Sequence, residues 1–264
     1  MDYSDFRDLV VEVKDGIGHF RINRDEKLNA LRNPTFWELI ELGRRLQVDP
    51  DVRVVVASHE GRGFCSGADL TDTTPPDPDA PPPAHPRDRL GISRIGVAMP
   101  SIDKPTIAAI NGVCAGAGFA FASSFDIRYI GPQTRFITVF ARRALSPDCG
   151  LTYWLPRLVG PAKALELLYT SREVHAEEAV RIGLGNELVD DPLAKAMEVA
   201  RELVVGPPLS YMWSKREIQH SWAADIEAQI EYEWTGQATL RGSKDLAEGR
   251  AAFVERRAPR FTGE

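Results

Sequence analysis

The sequence predicts an α/β protein: a core of buried strands joined to helices, followed by a C-terminal region that is helical throughout. Three observations carry that prediction. Val52 to Ala57 and Thr106 to Ile110 are continuous apolar or β-branched runs, the mark of strands covered on both faces. Each is followed by a segment rich in Gly and Ala, GRGFCSGADL and INGVCAGAG, and the second runs on into a helix start. From Asp148 onward the apolar spacing is almost wholly helical.

The elements follow in order along the chain. Val10 to Val13 and Ile17 to Ile22 alternate around Asp15-Gly16, which predicts a hairpin. Asn33-Pro34 opens a helix with Phe36, Leu39, Ile40 and Leu46 on its apolar face. Residues 71–88 hold Pro75, Pro76, Pro78, Pro81, Pro82, Pro83 and Pro86 and almost no aliphatic side chain, which predicts an extended surface loop or a flexible rim over the substrate mouth. Leu90 to Met99 reads as a helix. After the strand at 106–110 come short strands at 127–130 and 136–139. Helices then follow at CGLTYWLPRLV, AKALELLYT and AEEAVRIG, with a brief strand at 187–189. The last 70 residues are helical, broken at Gly206-Pro207-Pro208. No internal repeat is visible.

Composition sets the outer limits. The chain has 264 residues, 43% hydrophobic and 27% charged, which suits a globular protein with a sizeable core. A net charge of −6 gives no basic footprint for nucleic acid. No apolar run approaches the ~20 residues that span a bilayer, so no membrane partner is expected. The acidic start MDYSDFRDLVVEV lacks the pattern of a signal peptide, which makes the cytoplasm the expected location. Cys65, Cys114 and Cys149 have no metal spacing and read as reduced thiols. The five histidines are scattered, so no metal site is expected.

The chemistry lies in the two Gly/Ala-rich segments. Small residues let a backbone approach a ligand closely, and N–H groups unpaired at a helix start point outward with the helix dipole behind them. Two such groups converging on one point stabilise a developing oxyanion. Taken singly, each segment also fits a tight strand–helix joint. A phosphate cradle is disfavoured because neither ends in Lys-Ser/Thr or contains a clean GxGxxG.

FCSGADL followed about 40 residues later by KPTIAAINGVCAGAG resembles the crotonase superfamily, the enoyl-CoA hydratase/isomerase family. INRDEKLNAL, LPRLVGPAKALELLYTSREVHAEEAVRIGL and SKDLAEGRAAFVERRAPRF resemble further motifs of that family, so the likeness covers nearly the whole chain. The resemblance implies a crotonase-like spiral of ββα units over residues 1–195 and a C-terminal helical subdomain over 196–264 that serves trimerisation and covers CoA. It implies an acyl-CoA substrate that brings its own coenzyme A, with no separate cofactor, and a homotrimer or homohexamer. Ala68 and Ala117 stand where the family's backbone N–H groups hold the thioester oxygen; the second position is usually Gly. CoA contacts are implied around Leu28, Ala30, Ala68 and Leu70, and from Phe253 with Arg256 or Arg257 on the last helix.

The family's hydratases use two glutamates. Counting along the motifs puts Ala120 and Phe140 at those places, and neither moves a proton. Asp148, in LSPDCGLTYWLPRLVG, is the replacement. The resemblance links this position to the acid/base of dienoyl-CoA isomerases and of the ring-epoxide phenylacetyl-CoA isomerase, and to the nucleophile of 4-chlorobenzoyl-CoA dehalogenase. A single carboxylate suits an isomerase, which takes a proton from one carbon and returns it to another. Apolar neighbours Leu145, Tyr153 and Trp154 predict a desolvated, raised pKa; the competing role is an N-cap for a helix over 149–158. Hydratase, hydrolase, dehalogenase and an inactive CoA-binding subunit are the other readings. Asp126 and Asp69 read as structural, and Arg142 and Arg143 as exposed charges or phosphate contacts.

Overall fold

The computed structural model of the chain describes residues 1–72 and 91–264; the predicted Pro-rich loop falls almost wholly outside the described residues. The predicted hairpin forms from β1 (Leu9–Lys14) and β2 (Ile17–Ile22), paired antiparallel. Its two loop residues, Asp15 and Gly16, both have positive φ, as the tight turns that match strand twist require. Helix α1 (Asn33–Val48) follows, with Phe36, Leu39, Leu42 and Leu46 buried.

From here the chain repeats one manoeuvre. A strand joins the first sheet, the chain turns a corner, and a short strand joins the second sheet before a helix. Strand β3 (Val54–His59) turns into β4 (Gly63–Cys65), and α2 (Ile95–Ala98) comes after, preceded by a 3-10 turn at Gly91–Arg94. Strand β5 (Thr106–Ile110) turns into β6 (Val113–Ala115) and then α3 (Ala117–Ser123). Strand β7 (Ile127–Ile130) turns into β8 (Arg135–Ile137), followed by α4 (Leu151–Val159) and α5 (Pro161–Thr170). Strand β9 (Val174–His175), α6 (Ala176–Arg181) and β10 (Glu187–Leu188) close the core. The six-stranded sheet runs β1-β2-β3-β5-β7-β10 and the four-stranded sheet β4-β6-β8-β9. Beyond the hairpin, the larger sheet is parallel. These are the ββα units the resemblance implies.

The corners between the sheets stack on one another. The Asn111 backbone N–H donates to His59 Nε2 at 3.0 Å, and the Asn111 side-chain amide donates to Gln133 at 2.6 Å. The Asn111 carbonyl oxygen Oδ1 accepts from the N–H of Gly112 and of Gln133. Gly112 has positive φ, and a Cβ there would fall 2.0 Å from the Arg62 carbonyl, so only glycine fits.

Phe20, Phe64, Phe119, Phe121 and Phe136 fill the main core. Helix α7 (Pro192–Val204) straddles residue 195 and packs Ala196 and Ala200 against Val54, Val56, Ile107 and Tyr129 of the larger sheet. Helices α8 (Pro208–Ser221), α9 (Ile226–Leu240) and α10 (Lys244–Glu255) follow. Lys215 on α8 ties this region to the core, donating to Asp126 at 2.9 Å and reaching the carbonyls of Met99 and Lys104. Among the described residues, no helix is long and apolar enough to cross a membrane.

Candidate active site

Strands β4 and β6 pair in parallel, with Cys65 opposite Cys114. Parallel pairing places the ends of both strands on the same side, so the two Gly/Ala-rich turns emerge together. A Cβ on Gly67 would lie 2.8 Å from the Ala115 carbonyl and 3.6 Å from the Ala117 nitrogen. Gly67 (φ +97°) and Gly116 (φ +52°, ψ −121°) take backbone conformations reserved for glycine.

Each turn presents a free donor. Leu31 clamps the peptides on both sides of Ala68: its N–H donates to the Gly67 carbonyl at 2.8 Å, and its carbonyl accepts the Asp69 N–H at 2.8 Å. In a parallel bridge this turns the Ala68 N–H away from Leu31, and among the described residues it has no partner. Ala117 opens α3, where the first N–H groups have no partner within the helix; the first such bond runs from Ala120 to Gly116 at 3.0 Å. Ala117 does not have positive φ, so its methyl group carries no backbone penalty in place of glycine. Gly118 cannot vary in the same way: a Cβ there would lie 2.4 Å from the Cys65 carbonyl and 2.6 Å from its Sγ.

Asp148 differs from both sequence expectations for it. It is exposed, as are Leu145 (58%) and Tyr153 (42%), so the desolvated surroundings predicted from the sequence are absent. Trp154 is buried, with its indole N–H donating to the Gly96 carbonyl at 3.0 Å. Nor does the Asp148 side chain cap the helix. The N-cap of α4 is Gly150, without a side-chain bond, and only the Asp148 backbone carbonyl takes part, accepting from the Leu151 N–H at 3.0 Å. The cause is local: Cys149 and Gly150 both have positive φ and swing the chain between Asp148 and the helix.

Burial first, and then the Asp148 charge, push the Cys149 thiol well up, and it also lies within electrostatic reach of Cys65. Burial holds Cys65 up at about 12, with the Gly67 N–H directed at its sulfur. Cys65, Cys114 and Cys149 are all buried free thiols, which suits packing rather than nucleophilic attack.

The remaining expected residues fall in several places. Leu28 has positive φ and sits beside the first turn: its carbonyl accepts the Ser66 N–H at 3.0 Å. The Leu28 side chain packs with Val113, Ala115, Ile137 and Val139 in a small apolar cluster separate from the main core. Ala30 is buried with its backbone engaged, donating to the Lys27 carbonyl and accepting from Arg24. Leu70 is 66% exposed. Phe253, 86% exposed, lines a groove whose other walls, including Pro207, Leu209 and Leu240, all come from the C-terminal region. Ala120 and Phe140 are buried. Asp126 is structural, accepting from the Thr106 N–H and hydroxyl and from Lys215. Arg142 and Arg143 are both exposed, and Arg142 donates to the Ser171 carbonyl. Among the described residues no group of His, Cys, Asp and Glu is placed to hold a metal ion.

One clamp at the site leaves no signal in the local sequence. Arg24 donates to Asp69 at 2.9 Å and also to the Ala30 carbonyl, joining the Leu28–Leu31 segment to the Gly67–Asp69 turn. Asp69 is held down at about 2, first by Thr71 and then by Arg24. Asp69 therefore holds the first donor's turn in place, beyond the turn-forming role read from the sequence.

Comparison with known proteins finds relatives along nearly the whole chain. Residues 12–264 match the family model described as enoyl-CoA hydratase/isomerase. The chain is 32% identical to the 1,2-epoxyphenylacetyl-CoA isomerase of Escherichia coli (strain K12), covering 97% of this chain and 98% of that one. It is also 32% identical to the (E)-benzylidenesuccinyl-CoA hydratase of Thauera aromatica, covering 97% and 99%. Its structure is similar to that of an enoyl-CoA hydratase from Bacillus anthracis, with a TM-score of 0.88, 28% identity, and 98% and 100% of the two chains covered.

Proposed function

The chain belongs to the enoyl-CoA hydratase/isomerase family, and from that premise we propose that it shifts the double bond of an unsaturated acyl-CoA, with Ala68 and Ala117 as oxyanion donors and Asp148 as the proton carrier. The observation that carries the reading is the juxtaposition of the two turns, with the Ala68 and Ala117 N–H groups free at the same end of the β4–β6 pair.

The reaction balances with one carboxylate. Asp148 takes a proton from C2 of a 3-enoyl thioester, and the electron pair moves onto the thioester oxygen, giving a dienolate. The two N–H groups stabilise that charge more than the neutral carbonyl, which lowers the barrier. The protonated Asp148 then delivers the proton to C4, the carbonyl re-forms, and the double bond lies between C2 and C3. Coenzyme A is part of the substrate and no further cofactor takes part. The likeness to an epoxyphenylacetyl-CoA isomerase supports this choice within the family.

Hydration is the second reading, because Asp148 is exposed and so has access to water it can activate. Reaction in oxygen-labelled water separates the two, since isomerisation places no solvent oxygen in the product. The direct test is Asp148→Ala. The expected result is a drop of about 10²–10⁴ in kcat on 3-enoyl-CoA substrates; wild-type turnover by that variant refutes the role of Asp148. We further propose a homotrimer or homohexamer. Ile226, Ile230, Trp234, Phe253 and Val254 of the C-terminal helices are exposed, a set of apolar side chains suited to a subunit interface.

A further inference from the structure

Val139 is a β-branched residue with a φ of +54°. For such a residue the left-handed region is a true outlier. The conformation closes a γ-turn in which the Phe140 N–H donates to the Thr138 carbonyl at 2.8 Å. γ-Turns with positive φ at the centre are rare and strained.

Strain of this kind persists only where the surroundings over-determine it, and here both flanks are pinned. Thr138 is buried, its hydroxyl donating to the Leu167 carbonyl at 2.9 Å and lying 3.2 Å from Ser171 Oγ. Phe140 is packed in the main core, and its carbonyl accepts the N–H groups of Arg143 and Leu145. The product of the strain is the position of one side chain. A Cβ built on Gly116 would lie 3.1 Å from Val139 Cγ2 and 4.0 Å from the Gly67 Cα. The side of Gly116 on which a Cβ would stand therefore faces both Val139 and the first turn. The peptide that leaves Gly116 carries the Ala117 N–H.

We infer that Val139 is a positioning residue for the second oxyanion donor: the strained turn seats its isopropyl group against Gly116 and so fixes the plane of the Gly116–Ala117 peptide, with the Ala117 N–H turned toward the thioester oxygen. The inference rests on the oxyanion reading of Ala68 and Ala117.

Two variants of the full chain, Val139→Ala and Val139→Gly, test it. In ordinary backbone glycine is the less stable choice, but at positive φ the order reverses. The Gly variant melts above the Ala variant, by about 2–4 °C. Activity runs the other way. In both variants kcat falls, further with Gly, to about 10–100-fold below wild type, while KM changes less than about twofold. A role in stability alone makes activity follow stability, so opposite orders identify positioning. The carbonyl stretch of a bound, carbonyl-labelled acyl-CoA reads the oxyanion hole without turnover. It is lowered in wild type and lowered less in the Gly variant. A wild type that leaves the stretch unshifted overturns the oxyanion reading itself. A wild type that lowers it, with a Gly variant equal to wild type in stretch and kcat, overturns the Val139 inference alone. A Gly variant that melts below the Ala variant does the same.

Discussion

Gly118→Ala is the smallest change expected to separate the two proposed oxyanion donors, Ala68 and Ala117. The added Cβ would sit 2.4 Å from the Cys65 carbonyl oxygen, 2.6 Å from its Sγ and 2.7 Å from its Cβ. Carbon needs about 3.5 Å from such atoms, so α3 must retreat from β4 by roughly 1 Å. The surrounding core leaves no easy exit, because Phe119, Ala120 and Phe121 are buried on the same helix. Overpacking of this size costs about 1–3 kcal/mol, and each kcal/mol lowers Tm by roughly 2–4 °C in a chain of this length. The functional cost is larger. Ala117 travels with α3 while Ala68 stays with the Leu31 bridge, and a 1 Å misplacement in an active site costs about 10²-fold. The assay pairs a thermal melt with kcat on a 3-enoyl-CoA. Gly249→Ala is the control. Its Cβ would meet only Phe261, at 3.6 Å or more, so this substitution within α10 should leave kcat unchanged and raise stability by up to about 1 kcal/mol. A Gly118→Ala protein with wild-type Tm and kcat refutes the claim that helix and strand packing sets the donor spacing.

Two further outcomes follow from ion pairs and histidines. Arg24→Met leaves the Asp69 carboxylate, 7% exposed, without its cation; a loss of roughly 3 kcal/mol is expected in urea unfolding. Asp69 has a folded-state pKa of about 2 against 3.8 in an open chain, so its contribution is present above about pH 4 and lost as pH falls through about 2; unchanged stability at pH 7 in the variant counts against the clamp. His59 accepts the Asn111 N–H at Nε2, and burial lowers its pKa. Because the folded form resists protonation, stability is complete above about pH 6.5 and declines as pH falls below it, by up to about 1.4 kcal/mol per pH unit. His59→Gln should flatten that decline between pH 7 and 5, and an unaltered slope would exclude His59 as its source.

Much of the frame was legible from residue pattern alone. Strands β3 and β5 are β-branched or apolar runs long enough to declare themselves, and Asp15-Gly16 announces the hairpin. The short strands that build the site were not. GFC and VCA in β4 and β6 are three residues each, with no periodicity to read, and they are strands only through the ladders they enter, β4 with β6 and β6 with β8. The sequence predicts a strand through Val139, but the ladder ends at Ile137, where the γ-turn begins. Positive φ at Val139 and Cys149 is imposed by packing, since neither residue favours it, and so the outward turn of Asp148 could not be foreseen. The Arg24–Asp69 pair spans 45 positions, and no local pattern couples residues so far apart. Ala68 and Ala117 were legible through motif resemblance, which carries the memory of a geometry that composition does not express.

The parallel pairing of β4 with β6 has a consequence for how such a protein can change. The two free N–H groups sit where the chain leaves β4 and where it leaves β6, and the ladder between the strands sets those two exits side by side. The separation of Ala68 and Ala117 is therefore a property of strand pairing and of the packing around it. A lineage that keeps this short ladder keeps its two unpaired N–H groups side by side.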